Sequence, residues 1–150
     1  MTQLRLVDLS AATIVAVNAM SLKPGQEQYL APTSYAVAAA VVNPATAWQR
    51  VVLDGDEVVG FVSASFDPDA PQEHFRSVLW RINVDADDQG RGVGRFIIEN
   101  LVAEARRRGM DHIDAIFEGG EGGPEAFFRR VGFEPVGETE YGEVIAEIRV

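Results

Sequence analysis

A glutamine, three glycines and two arginines crowd one short segment of this 150-residue sequence, Gln89-Gly90-Arg91-Gly92-Val93-Gly94-Arg95. Glycines let a backbone approach a ligand closely and take up positive φ. The segment follows a strand-like run, Ser77 to Val84. It precedes a stretch in which Phe96, Ile97, Leu101, Val102 and Ala105 form the apolar side of a helix. A turn that opens a helix aims its first amide N–H groups, and the positive end of the helix dipole, at whatever occupies it. A phosphate or pyrophosphate is the matching ligand. A Walker loop would end in Gly-Lys-Ser/Thr, whereas this turn ends in Gly94-Arg95-Phe96. A dinucleotide fingerprint spaces its glycines G-x-G-x-x-G after the first strand of a βαβ unit; these fall at 90, 92 and 94 after the fourth predicted strand. On the glycines alone, a tight turn explains the segment as well as a ligand does.

The elements that must position this turn can be read along the chain. Residues 3–8 alternate as a first strand. Ser10 caps a helix running to about Met20. Residues 21–32, with Pro24-Gly25 and Ala31-Pro32, form a loop. Thr33 or Ser34 starts a second helix through Val42, which Asn43-Pro44 stops. Apolar runs from Trp48 to Leu53 and from Val58 to Val62 flank Asp54-Gly55-Asp56, a hairpin signal. Residues 67–75 read as an exposed acidic connection. The helix after the glycine turn ends in Arg106-Arg107-Arg108, closed by Gly109, and those cations read as a solvated helix end rather than a phosphate site. A strand over 112–117, a glycine loop over 119–123, a helix from Pro124 to Val131, and strands over 132–138 and 142–149 complete the order β-α-α-β-β-β-α-β-α-β-β. Three consecutive strands before the glycine turn argue against a doubly wound sheet. No repeat or linker divides the chain, so one domain is expected over 1–150.

Gln89-x-x-Gly92-x-Gly94 resembles the acyl-CoA signature Q/R-x-x-G-x-G/A of the GNAT superfamily of N-acetyltransferases. Phe127-Phe128-Arg129-Arg130-Val131-Gly132-Phe133 is similar to that family's L-Y-x-x-x-G-F element. The element order matches across essentially the whole chain. The resemblance implies an α/β fold of the α+β type, a mixed and mostly antiparallel sheet of about seven strands flanked by helices. A narrower likeness, to the diamine/spermidine acetyltransferase-like branch, rests on Leu22 through Pro32, Leu79-Trp80-Arg81, Gly123 through Phe128 and Val136-Gly137-Glu138.

The resemblance implies roles residue by residue. Gln89, Gly90, Arg91, Gly92, Val93, Gly94 and Arg95 would hold the CoA pyrophosphate. Ile82, Asn83 and Val84 would pair with the pantetheine arm like an added strand, with the Val84 amide polarising the thioester carbonyl. Ile82 and Val84 side chains also read as core. Phe127, Phe128 and Arg130 would lie along CoA. The family's usual general acid, a tyrosine, is here Phe128, whose ring cannot donate a proton. Tyr141 is the substitute acid to consider, and Glu118, or Glu73, the candidate base; each reads in the first place as a solvated surface group. Gln28 and Tyr29 fall where family members build the acceptor site. Trp80 reads as a wall of that site or as core.

Composition bounds the rest. A net charge of −10 argues against nucleic-acid binding. It suits a cationic acceptor such as a polyamine or aminoglycoside, or simply keeps the chain soluble. There are no cysteines and two histidines, which gives no thiolate zinc site and too few ligands for a histidine-rich one, so no metal is expected. No apolar run spans a membrane and the first residues do not read as a signal peptide, so a cytoplasmic protein is expected. Family precedent favours a homodimer. The function expected is transfer of acetyl from acetyl-CoA to a primary amine of a small molecule. The alternatives are a CoA-binding regulatory or partner module, which Phe128 favours, and a nucleotide-phosphate binder resting on the glycine turn alone.

Overall fold

The computed structural model describes residues 3–19, 45–85, 92–120 and 124–150. The chain begins with β1 (Leu4–Asp8) and α1 (Ala11–Ala19). Ser10 heads α1: Ile14 N donates to Ser10 O at 2.9 Å, while Ser10 N donates back to Thr13 Oγ1 at 3.1 Å. Such reciprocal bonds satisfy donors that the first helical turn leaves over. β2 (Ala47–Asp54) and β3 (Glu57–Phe66) form the expected hairpin, with Gly55 at φ 63° in its two-residue loop. Then follow β4 (Ser77–Val84), α2 (Val93–Arg107), β5 (His112–Phe117), α3 (Glu125–Arg130), β6 (Glu134–Glu138) and β7 (Val144–Arg149). The loop over 21–32 and the second helix expected from the sequence lie outside the described residues.

The seven strands make one sheet in the order β1-β2-β3-β4-β5-β7-β6, antiparallel except for β4 against β5. Its two faces carry separate cores. α2 lays Val93, Ile97, Ile98, Leu101 and Ala105 on one face, against Val52, Val62, Leu79 and Ile113 among others. α1 inserts Val17 on the other face, against Val51, Leu53 and Phe61. The arginines that end α2 are a helix terminus as expected: Glu104 accepts from Arg107 and, at 2.7 Å, from Arg108. Among the described residues, no helix is long and apolar enough to cross a membrane.

Two irregularities shape the centre of the sheet. β4 and β5 pair only at Val78↔Asp114 and Leu79↔Ala115. Beyond Leu79 the ladder ends, although β4 continues to Val84. At that point β4 also bulges: Ser63 faces Arg81 while Ala64 faces Leu79, so Trp80 is the extra residue. A bulge bends its strand and re-aims its side chains. Here it coincides with the place where β4 parts from its parallel neighbour.

Candidate functional site

The start of α2 has the geometry of an anion site. Gly92 precedes the helix at φ 85°, a left-handed conformation natural to glycine. The first helical bond runs from Phe96 N to Gly92 O at 3.0 Å. The amides of Val93, Gly94 and Arg95 therefore come before the ladder, and no acidic side chain occupies the first turn to compete for them. Gly94 is held glycine by contact: a Cβ there would lie 2.7 Å from Phe127 Cε1. Phe127 thus lies against the turn. Arg95 reaches from the turn to the end of α3, donating through Nη2 to Arg130 O at 3.5 Å. Gln89, Gly90 and Arg91 lie outside the described residues, as do Gln28 and Tyr29.

The helix start is seated on the sheet at Gly60, where a Cβ would come within 3.1 Å of Val93 Cγ1 and 3.2 Å of Asn83 O. That packing brings the turn to the end of β4. The hydrogen-bond phase of β4 follows from one bond. Asp85 N donates to Val59 O at 2.9 Å, so Gly60↔Val84 is a pair that exchanges no bonds with each other. The backbone N–H and C=O of Val84, and of Ile82 two residues earlier, are consequently directed away from β3, to the side where β5 has diverged. Those of Asn83 and Arg81 are directed to β3. The side chains of Ile82 and Val84 pack partly buried on the α2 face.

The remaining sequence candidates separate. Phe128 is buried, stacked on Phe117 at 4.9 Å between ring centroids and edge-on to Phe133 at 5.3 Å. It is a core ring. Tyr141 is 82% exposed in the β6–β7 turn, and Glu118 and Glu73 are exposed. None of the three is brought to Val84 by a contact among the described residues. Trp80 is not core: it is half exposed, stacked on Phe75 at 6.1 Å, with Nε1 donating to Ser65 Oγ at 2.9 Å. The bulge accounts for that exposure.

A second titratable cluster went unread in the sequence. Asp114 on β5 is fully buried, and His74 Nδ1 lies 3.2 Å from its Oδ2. Glu147 on β7 is its cross-strand partner, and His112 Nε2 is 3.5 Å away. The ligand atoms of His74, Asp114 and Glu147 fall within 4.8 Å of one another, a spacing one cation could bridge. The expectation of no metal rested on there being two histidines, and the fold sets one of them beside two carboxylates. The cluster lies at the base of the β4–β5 pairing, six residues and about 20 Å along β4 from Val84.

Burial first, then the hydrogen bond shared with Glu147, pushes Asp114 from 3.8 up to about 6, against the pull of His74. For His112, burial opposes protonation, but the bond to Asp111 and the charge of Asp114 outweigh it and raise its pKa. Between pH 4 and 6 the unfolded chain loses the Asp114 proton before the folded one does. The folded state is therefore destabilised progressively as pH rises through that window, by about 3 kcal/mol for such a shift. His112 contributes stability below its ordinary pKa, lost as pH rises through the raised one. Asp114→Asn is expected to gain about 2–3 kcal/mol on the wild type between pH 4 and 7 in urea unfolding. A pH-independent difference would refute this assignment.

With a mixed seven-stranded sheet, one parallel pair that splays, and an anion-receiving helix start beside the splay, the chain has the architecture of an acyl-CoA-dependent transferase. Residues 16–133 match the Acetyltransferase (GNAT) family, and the chain belongs to it. It is 32% identical over 81 residues to the L-2,4-diaminobutyric acid acetyltransferase of Shouchella clausii, covering 54% of this chain and 44% of that one. It is 34% identical over 83 residues to the L-methionine sulfoximine/L-methionine sulfone acetyltransferase of Pseudomonas paraeruginosa, covering 55% and 47%. The match thus spans less than half the length of these curated relatives. The fold is shared with the PaiA N-acetyltransferase of Thermoplasma acidophilum in complex with coenzyme A, at TM-score 0.75 and 11% identity over 99% of each chain. It is shared also with the ribosomal-protein-alanine N-acetyltransferase of Brucella melitensis, at TM-score 0.70 and 23% identity over 97% and 99%.

Proposed function

We propose that the chain is a single-domain N-acetyltransferase that moves acetyl from acetyl-CoA to a primary amine of a small molecule. The observation that carries this reading is the joint geometry of the β4–β5 parting and the α2 start. A pantetheine arm can lie along the outward backbone groups of Ile82 and Val84, in the manner of an added strand. Its pyrophosphate then meets the amides of Val93, Gly94 and Arg95, flanked by Arg95 and Arg130. The neutral amine attacks the acetyl carbon to give a tetrahedral intermediate, whose oxyanion the Val84 amide stabilises. The C–S bond breaks, the thiolate takes a proton, and the new amide sheds the surplus amine proton to solvent. Names of the curated relatives support a small amine as acceptor. The acidic composition adds polyamines and aminoglycosides to the acceptors to be tried. On family resemblance we place the enzyme in the cytoplasm as a homodimer, with no nucleic-acid or membrane partner and no metal in the reaction.

Mixing the protein with acetyl-CoA and polyamines, aminoglycosides or amino acids, and following free thiol, tests the reading. Amine-dependent thiol release is expected, and its absence across the panel counts against turnover. Phe128 motivates the second reading, a CoA-binding module without chemistry, because it stands where the family's tyrosine acid stands. Its burial against Phe117 directs the ring into the core, and water remains as a proton source. Phe128→Tyr is therefore expected to change kcat less than about threefold. A rise of 100-fold or more would show that a missing acid limits this protein.

A further inference from the structure

Arg81 and Asn83 share one face of β4, the face opposite α2. Cross-strand register establishes this: Arg81 faces Ser63 and Asn83 faces Phe61, and Phe61 packs with α1. Both are deeply buried, Arg81 to 9% and Asn83 to 4% exposure. Among the described residues, neither Arg81 Nε nor Asn83 Oδ1 has a hydrogen-bond partner, and no carboxylate pairs with the guanidinium. Burial pulls the Arg81 pKa down. Such groups are costly: buried polar atoms are almost always bonded, and buried charges are almost always paired.

Their place relative to the thioester is informative. The α2 face of β4 is covered by α2, so an acceptor must reach the Val84 amide from the other face, where Asn83 is the adjacent residue. Arg81 is two residues along the same face, about 7 Å away. Trp80, brought out by the bulge, stands half exposed beside it. We infer that Arg81 and Asn83 form the acceptor-recognition site of the proposed transferase, and that the acceptor carries a carboxylate a few bonds from its reacting amine, as an amino acid does. Arg81 pairs with the carboxylate, as a planar guanidinium does best. Asn83 Oδ1 accepts a hydrogen bond from the amine and turns its lone pair to the acetyl carbon. The inference rests on the acetyl-transfer reading and narrows its acceptors: a guanidinium on this face favours a carboxylate and disfavours a polyamine.

The test compares 2,4-diaminobutyrate with 1,3-diaminopropane, which is the same diamine without the carboxylate. The proteins are the wild type, Arg81→Met and Asn83→Ala. Wild type is expected to prefer the amino acid by about 10- to 100-fold in kcat/KM, the range of a charge-assisted hydrogen bond. Arg81→Met should erase that preference by lowering kcat/KM for diaminobutyrate about 10- to 100-fold more than for diaminopropane, with CoA affinity within about twofold. Because it removes a buried charge that has no carboxylate partner among the described residues, it should fold at least as stably as the wild type. Equal use of both amines by the wild type, or equal loss of both rates in Arg81→Met, overturns the inference. Calorimetry of diaminobutyrate on the CoA-bound protein separates the two claims. Binding that Arg81→Met abolishes, without turnover, refutes the transferase reading and upholds the carboxylate site. Turnover with no effect of Arg81→Met does the reverse.

Discussion

Phe128→Ala is expected to cost about 3–5 kcal/mol of folding stability, the range for removing a large aromatic side chain from a packed core. The ring stacks on Phe117 of β5 and meets Phe127 and Phe133 edge-on, at 5.4 and 5.3 Å. It is the one side chain of α3 that is buried, among the described residues of that helix. A six-residue helix has no stability of its own and depends on such an anchor. The loss should also be felt at the donor site, because α3 carries Phe127, which lies against Gly94, and ends at Arg130, whose carbonyl holds Arg95. Urea unfolding would show the midpoint fall, and the CoA dissociation constant should rise with it. A stability change under about 1 kcal/mol would mean that the aromatic cluster is not what fastens α3 to the sheet.

Gly94→Asp is expected to weaken CoA binding by about 100-fold or more. It places a carboxylate in a turn whose amides and dipole favour an anion, so the side chain takes the place of the pyrophosphate and repels it. It also pushes Phe127, since any Cβ at 94 falls within 2.7 Å of that ring. Gly94→Ala separates the two effects. The methyl group carries the steric cost alone and should weaken binding by about tenfold or less, with a stability loss of about 1–3 kcal/mol. Calorimetric titration with CoA measures both. Equal affinities for the two variants would show that charge at this helix start is irrelevant to the ligand.

How far these residues could be read from the sequence depended on the range of the interactions involved. The helix start, its glycines and the strand before it were legible because spacing within a few residues determines them. So were the Asp54-Gly55 hairpin, with Gly55 at positive φ, and the closing of α2 at Gly109. The direction of Trp80 was not legible. It depends on a bulge created by register against β3, and a buried-looking strand gives no sign of where such a bulge falls. Arg81 and Asn83 alternate with Ile82 and Val84 in the sequence, a pattern that separates two faces of a strand. What it could not show is that the polar face is buried as well. The His74–Asp114–Glu147 cluster joins residues up to 73 positions apart, and only the fold assembles it. Phe128 was legible as a departure from the family's tyrosine, but its inward stacking on Phe117 depends on where β5 lies.

The most direct test of the whole account is an amide map. With 15N-labelled protein, CoA and acetyl-CoA are titrated in parallel and the backbone resonances followed. Both ligands should shift Val93, Gly94 and Arg95. Only acetyl-CoA should add a distinct downfield shift at the Val84 amide, where the thioester carbonyl accepts its hydrogen bond. Saturating acetyl-CoA that leaves Val84 and the α2 start unmoved would contradict the placement of the donor between β4 and β5.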